Sequence, residues 1–143
     1  MANSSTIKTN LLCLLLLLIS TNTLFAQKKK ELREASINSK KEWNYIYTDE
    51  GEKKYLEAEY LYDKRGNTLL EKLYDENGNI ILHKEYKYNS EGNEIQEITY
   101  NPKGQVIEKI ETSYFRDDLK LEKKVYGPNG KLKSKKIFEY KTF

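Results

Sequence analysis

A spaced series of tyrosines restricts this chain more than any other feature. Tyr recurs at Tyr47, Tyr62, Tyr74, Tyr88, Tyr100, Tyr114, Tyr126 and Tyr140, in steps of 15, 12, 14, 12, 14, 12 and 14 residues. Gly follows four places later at Gly51, Gly66, Gly78, Gly92, Gly104 and Gly130, and only Asp118 breaks that second series. The unit is a pair of segments, 26 residues long in tandem, and such internal periodicity governs the fold before any single motif does. The segments that end on Gly have turn chemistry: "DKRG", "DENG", "NSEG", "NPKG" and "GPNG". A side-chain acceptor first, Pro second and Gly fourth is the pattern of a type I turn. A left-handed Gly then supplies the bulge that lets such a turn join antiparallel strands. At Asp118 the same backbone role falls to a residue that tolerates the left-handed region better than most.

Between the turns lie runs of Leu, Ile, Val, Tyr and Thr alternating with Lys and Glu. That is strand spacing rather than helix spacing. The expected fold is all-β: an antiparallel meander of about eight strands, near 42–47, 52–62, 67–74, 79–88, 93–100, 105–114, 119–126 and 131–140. Neither face reads as a dry core, so a twisted single-layer or curled sheet is expected over a sandwich. The odd first step of 15 calls for an extra residue, expected as a bulge near Lys53 to Tyr55.

The even steps place the repeating tyrosines on one face, in two rows at opposite strand ends. Tyr62, Tyr88, Tyr114 and Tyr140 form one, and Tyr74, Tyr100 and Tyr126 the other. The third residue after each turn, Leu69, Ile81, Ile95, Ile107 or Leu121, marks the opposite face. Aromatic ladders are the first reading of the tyrosines, since a ring covers its neighbours while the hydroxyl stays wet. A binding surface built on Tyr62, Tyr74, Tyr86, Tyr88, Tyr100, Tyr114 and Tyr126 is the second.

The segments outside the periodic region have other compositions. Residues 1–26 hold a polar start with Lys8, the apolar run "LLCLLLLLIS" and Ala26 before a cleavage point. This is the plan of an export signal, and the run is too short to span a bilayer. The expected location is the periplasm, the cell surface or the extracellular space, with no membrane anchor after cleavage. Cys13 lies inside the run, so the mature chain holds no cysteine and can form neither a disulfide nor a thiolate site. Residues 27–42 lack aromatics and read as an exposed polar linker or a short frayed helix, leaving 43–143 as the β domain. Cleavage removes Lys8 and no acid, leaving 24 basic against 22 acidic residues. That balance does not favour nucleic acid, which selects a strongly basic face.

Catalytic signatures are missing from the sequence. His83 is the sole histidine, and no GxSxG or HExxH occurs. The turn residues Asp49, Asp63 and Asp75 supply one carboxylate each, too few for a calcium shell. No cofactor or metal is expected, and no enzyme.

The stretch "YLYDKRGNTLLEKLYDENGNIILHKEYKYNSEGNEI" resembles the tyrosine-aspartate (YD) repeats of RHS-type proteins and their short secreted versions in Bacteroidota. The likeness covers about Tyr47 to Tyr140, with the Tyr-Asp-x-x-Gly-Asn core at Tyr62 to Asn67 and Tyr74 to Asn79. "YGPNGKLKSKKIFEY" is similar to variant MORN-type repeats. The resemblance implies a non-catalytic, exported scaffold. The expected function is binding of a protein or glycan through the tyrosine face. Self-association through the edges at Trp43 to Tyr47 and Lys131 to Tyr140, or an immunity-like role, are the alternatives.

Overall fold

The computed structural model describes residues 27–143. The expected export signal, residues 1–26, lies outside them. A short helix, α1, spans 27–34. Eight strands follow: β1 (Ser39–Thr48), β2 (Gly51–Tyr62), β3 (Thr68–Tyr74), β4 (Ile80–Tyr88), β5 (Glu94–Tyr100), β6 (Val106–Arg116), β7 (Leu119–Tyr126) and β8 (Leu132–Ile137). They form one antiparallel sheet in sequence order, open at both edges. The meander expected from the sequence is therefore the observed fold. The sheet begins earlier than expected, at Ser39, because β1 pairs along nearly the whole of β2, from Ser39 opposite Leu61 to Thr48 opposite Gly51.

The turns follow the sequence grammar closely. Asp63 Oδ1 accepts from the Arg65 and Asn67 amides, each at 2.8 Å, while its Oδ2 takes the Asn67 side-chain amide at 2.7 Å. Asp75 repeats this arrangement with Asn77 and Asn79. Asn101 Oδ1 likewise accepts from the Lys103 and Gln105 amides, but its side-chain amide donates to Gln105 Oε1 at 2.9 Å. The amide residue after the turn Gly, Asn67, Asn79 or Gln105, is thus the first residue's clamp partner. These acceptors are spent on their own backbone. Turns at one margin are also tied together: the Arg65 guanidinium donates to the Ser90 carbonyl, and the Asn93 amide to the Asp117 carbonyl.

The turn carboxylates make the fold acid-sensitive. Partial burial pushes Asp63 up, but the Asn67 and Arg65 hydrogen bonds and nearby Lys29 outweigh it and leave the carboxyl below its usual range. The Asn79 hydrogen bonds hold Asp75 low as well. Stability from these groups is complete above the unfolded carboxyl value of about 4 and drains away as pH falls through the lowered folded values. Asp75→Asn should keep its turn, because Asn89 and Asn101 fill the same position. We expect the urea midpoint to fall less in that variant than in the parent between about pH 7 and about pH 3. Equal falls would exclude this source of acid sensitivity.

Every standard hairpin holds a second irregularity. Leu61 pairs with Leu70 but Tyr62 with Thr68, so Leu69 is left unpaired. Ile81, Ile95, Ile107, Leu121 and Lys133 are skipped in the same way. The apolar residues three places after each turn are therefore bulges. Each bulge reverses the alternation along its strand and adds local twist. This corrects the expectation that both tyrosine rows share a face. Tyr62, Tyr86, Tyr88 and Tyr114 lie on one face, with Tyr60; Tyr74, Tyr100 and Tyr126 lie on the other.

Two local expectations also change. The bulge that accommodates the first step is at Glu57, skipped between the Glu42–Ala58 and Trp43–Leu56 pairs, rather than at Lys53 to Tyr55. The left-handed residue in the β6–β7 turn is Asp117, at φ 48°, not Asp118.

No dry core forms. The only buried side chains among the described residues are Ala58, Tyr62 and Asn67, at 1, 5 and 4% exposure. Cross-strand pairs hold the layer instead, each worth roughly 0.2–1 kcal/mol. Lys84 of β4 meets Glu97 of β5 at 2.6 Å, and Glu122 of β7 meets Lys135 of β8 at 2.7 Å. The helix α1 covers the face of Tyr62. It ends on Ser36 in the left-handed region, with the Ser36 and Ile37 amides donating back to Arg33 and Leu32. This is the double hydrogen bond of a Schellman cap.

Candidate functional site

The tyrosine hydroxyls are bound to the protein itself. On the helix face, Tyr88 donates to the Thr68 carbonyl and Tyr114 to the Glu94 carbonyl, both at 2.9 Å; Tyr140 donates to the Lys120 carbonyl at 2.7 Å. Each acceptor is two places past a turn's fourth residue, so each ring reaches back over the preceding hairpin. On the open face, Tyr74 donates to Glu59 at 2.6 Å and Tyr100 to Glu85 at 2.9 Å. Tyr126 lies beside Glu111 in the corresponding place. Tyr86, on the helix face, donates to Glu71 at 3.1 Å.

Burial, together with the Glu59 hydrogen bond, pushes the Tyr74 phenol up to about 12. Burial, together with nearby carboxylates, raises Tyr86 and Tyr88 strongly. These groups stay protonated at neutral pH and act as hydrogen-bond donors. His83 is likewise packed: its ring stacks on Tyr100 at 4.5 Å.

Tyr62 departs from its row. The residue twenty places before it, Glu42, lies in the middle of β1 rather than after a turn. Its hydroxyl is buried without a hydrogen-bond partner among the described residues. The segment before β1 occupies the place of the missing hairpin: the Asn38 carbonyl accepts from the Tyr62 amide at 2.9 Å, and α1 lies against Gly66. Between α1 and the sheet is a recess of about 610 Å³, lined by Lys28, Lys29 and Leu32 from the helix. Tyr60, Tyr62, Tyr86, Tyr88, Glu71 and Glu94 line its sheet side.

The sheet thus separates the seven tyrosines singled out in the sequence. Tyr62, Tyr86 and Tyr88 meet in the recess, Tyr114 lies farther along that face, and Tyr74, Tyr100 and Tyr126 are behind them. The most exposed aromatic row was not among them. Trp43, Tyr45 and Tyr47 project from the open face of edge strand β1, at 49, 43 and 75% exposure. Lys54 reaches across from β2, with Nζ 4.6 Å from the Trp43 ring centre and 5.3 Å from that of Tyr45. The alternation in "WNYIY" is the sequence signal for this row.

Neither models of known protein families nor curated proteins give a match to the chain. Among the described residues, no helix is long and apolar enough to cross a membrane, and no group of three or more potential ligands is placed to hold a metal.

Proposed function

We propose that the chain is an exported, non-enzymatic β-repeat module of the YD-repeat kind that binds a macromolecule of the cell envelope or its surroundings. The row Trp43, Tyr45 and Tyr47 carries this reading. Its rings are exposed on one face of an edge strand, whereas most repeating tyrosines have their hydroxyls tied down inside the sheet. Alternate residues on a strand lie about 6.6–6.8 Å apart, so the three rings offer an extended platform rather than a pocket. Such a platform suits stacking of successive sugar rings in a glycan chain, and a protein partner is the competing occupant.

The test is a screen of the protein against cell-envelope glycans and envelope protein fractions, with Trp43→Ala/Tyr45→Ala in parallel. Loss of about 1 kcal/mol or more per removed ring is expected at a stacking platform. If the double variant retains every interaction of the parent, the row is not the binding surface.

Self-association is the second reading, favoured by the open sheet, because unpaired edges recruit further strands. Lys133, Lys135 and Lys136 along β8 oppose it at that edge. Light scattering across a concentration series separates the two, since a strict monomer excludes assembly through the edges.

A further inference from the structure

We infer that the recess between α1 and the sheet binds a primary alkylammonium group, the chemistry at the end of a lysine side chain or a small amine. This site is separate from the β1 aromatic row, on the other face of the sheet.

Three observations converge on the recess. Its walls are tyrosine rings, with Tyr60 and Tyr62 stacked at 6.3 Å and 10°, and the faces of such rings attract cations. Its two carboxylates, Glu71 and Glu94, have no ion-pair partner within 4.0 Å among the described residues. The hydroxyl of Tyr62, a residue only 5% exposed, has no hydrogen-bond partner among the described residues.

The protein's own cations already show the preference. Lys28 Nζ lies 5.7 Å from the Tyr60 ring centre, and Lys40 Nζ lies 5.3 Å from it. Lys40 is committed to Glu42 and Lys84 to Glu97, whereas Lys28 is held by no carboxylate among the described residues. Lys28 is thus a weakly held internal occupant that a ligand ammonium displaces. Burial and then Glu97 raise the Glu94 carboxyl, against the opposing pull of Lys123, Lys120 and Lys84. An added positive charge beside Glu94 offsets that penalty.

The experiment is an NMR titration of the full-length protein, as the expressing cell processes it, at constant ionic strength. The probes are n-butylammonium, Nα-acetyl-lysine methylamide and the neutral isostere n-butanol. Both ammonium probes should shift the Tyr60 and Tyr88 ring signals and saturate, with n-butanol about tenfold weaker or more. If only the lysine derivative binds, the source is a peptide; if both bind alike, the ammonium group suffices. Glu71→Gln/Glu94→Gln should weaken butylammonium about tenfold. Lys28→Ala alters an exposed side chain and should tighten binding by removing the internal competitor. Equal binding of butylammonium and butanol, or Lys28→Ala binding no tighter than the parent, overturns the assignment.

Discussion

Gly66→Ala is expected to destabilise the protein more than the same change at any turn glycine where the added methyl has open space. Gly66 has φ +78°, and a Cβ there would lie 2.4 Å from the Lys29 carbonyl oxygen. That atom belongs to the backbone of α1, so no side-chain rotation relieves the contact. Gly78 and Gly104 have similar positive φ values, but an added Cβ meets nothing within 4 Å. Their alanine variants should lose only the left-handed backbone preference, about 1–2 kcal/mol. Gly66→Ala adds an overpacking penalty of about 1–3 kcal/mol, or else α1 lifts away. Urea midpoints for the three variants, with hydrogen exchange over residues 27–34, decide between these outcomes. If Gly66→Ala matches Gly78→Ala in both measurements, α1 does not rest on this turn in solution.

Tyr88→Ala is the second large change. The Tyr88 ring is half-buried, lines the recess and donates its hydroxyl to the Thr68 carbonyl in β3. Removing it costs both ring burial and that hydrogen bond, about 2–4 kcal/mol by comparison with buried aromatic truncations. Tyr88→Phe keeps the ring and should cost about 1 kcal/mol. Tyr47→Ala, at a residue 75% exposed, should stay within about 0.5 kcal/mol of the parent. The ordering matters more than any one value. A Tyr88→Ala variant no less stable than Tyr47→Ala would falsify the ladder role of the repeating tyrosines.

The sequence shows the turns clearly because their chemistry is local. Asp63 with Asn67, and Asp75 with Asn79, close their loops through groups four positions apart. Strand identity and the meander order follow from those turns. Register is harder to read, because it depends on which residue the ladder skips. Leu69, Ile81, Ile95, Ile107 and Leu121 form a regular apolar series in the sequence, yet strict alternation makes them a face marker rather than a set of bulges. A shift of one residue moves every following side chain to the other face, so strict alternation merges two tyrosine rows that the fold separates. The recess was less legible still. It depends on α1, from which Leu32 is the one apolar residue lining the cavity, and no periodic pattern signals such a placement. Nor could spacing alone reveal that Tyr62 lacks the acceptor its row-mates have. That absence follows from the irregular first hairpin, where Thr48 pairs directly with Gly51.

Each strand touches only the strands before and after it in the sequence. Without a shared interior, no residue near β1 depends on a side chain near β8. Heat or denaturant should therefore act on this protein as on a linear array, with stability summed over neighbouring junctions. Loss of an end hairpin leaves the remaining junctions intact, so the molecule can fray inward from either edge. Its length is adjustable for the same reason: excising residues 75–100 joins β3 to the Asn101 turn and removes, beyond the strand junctions, only the ties between neighbouring turns such as that of Arg65 with Ser90.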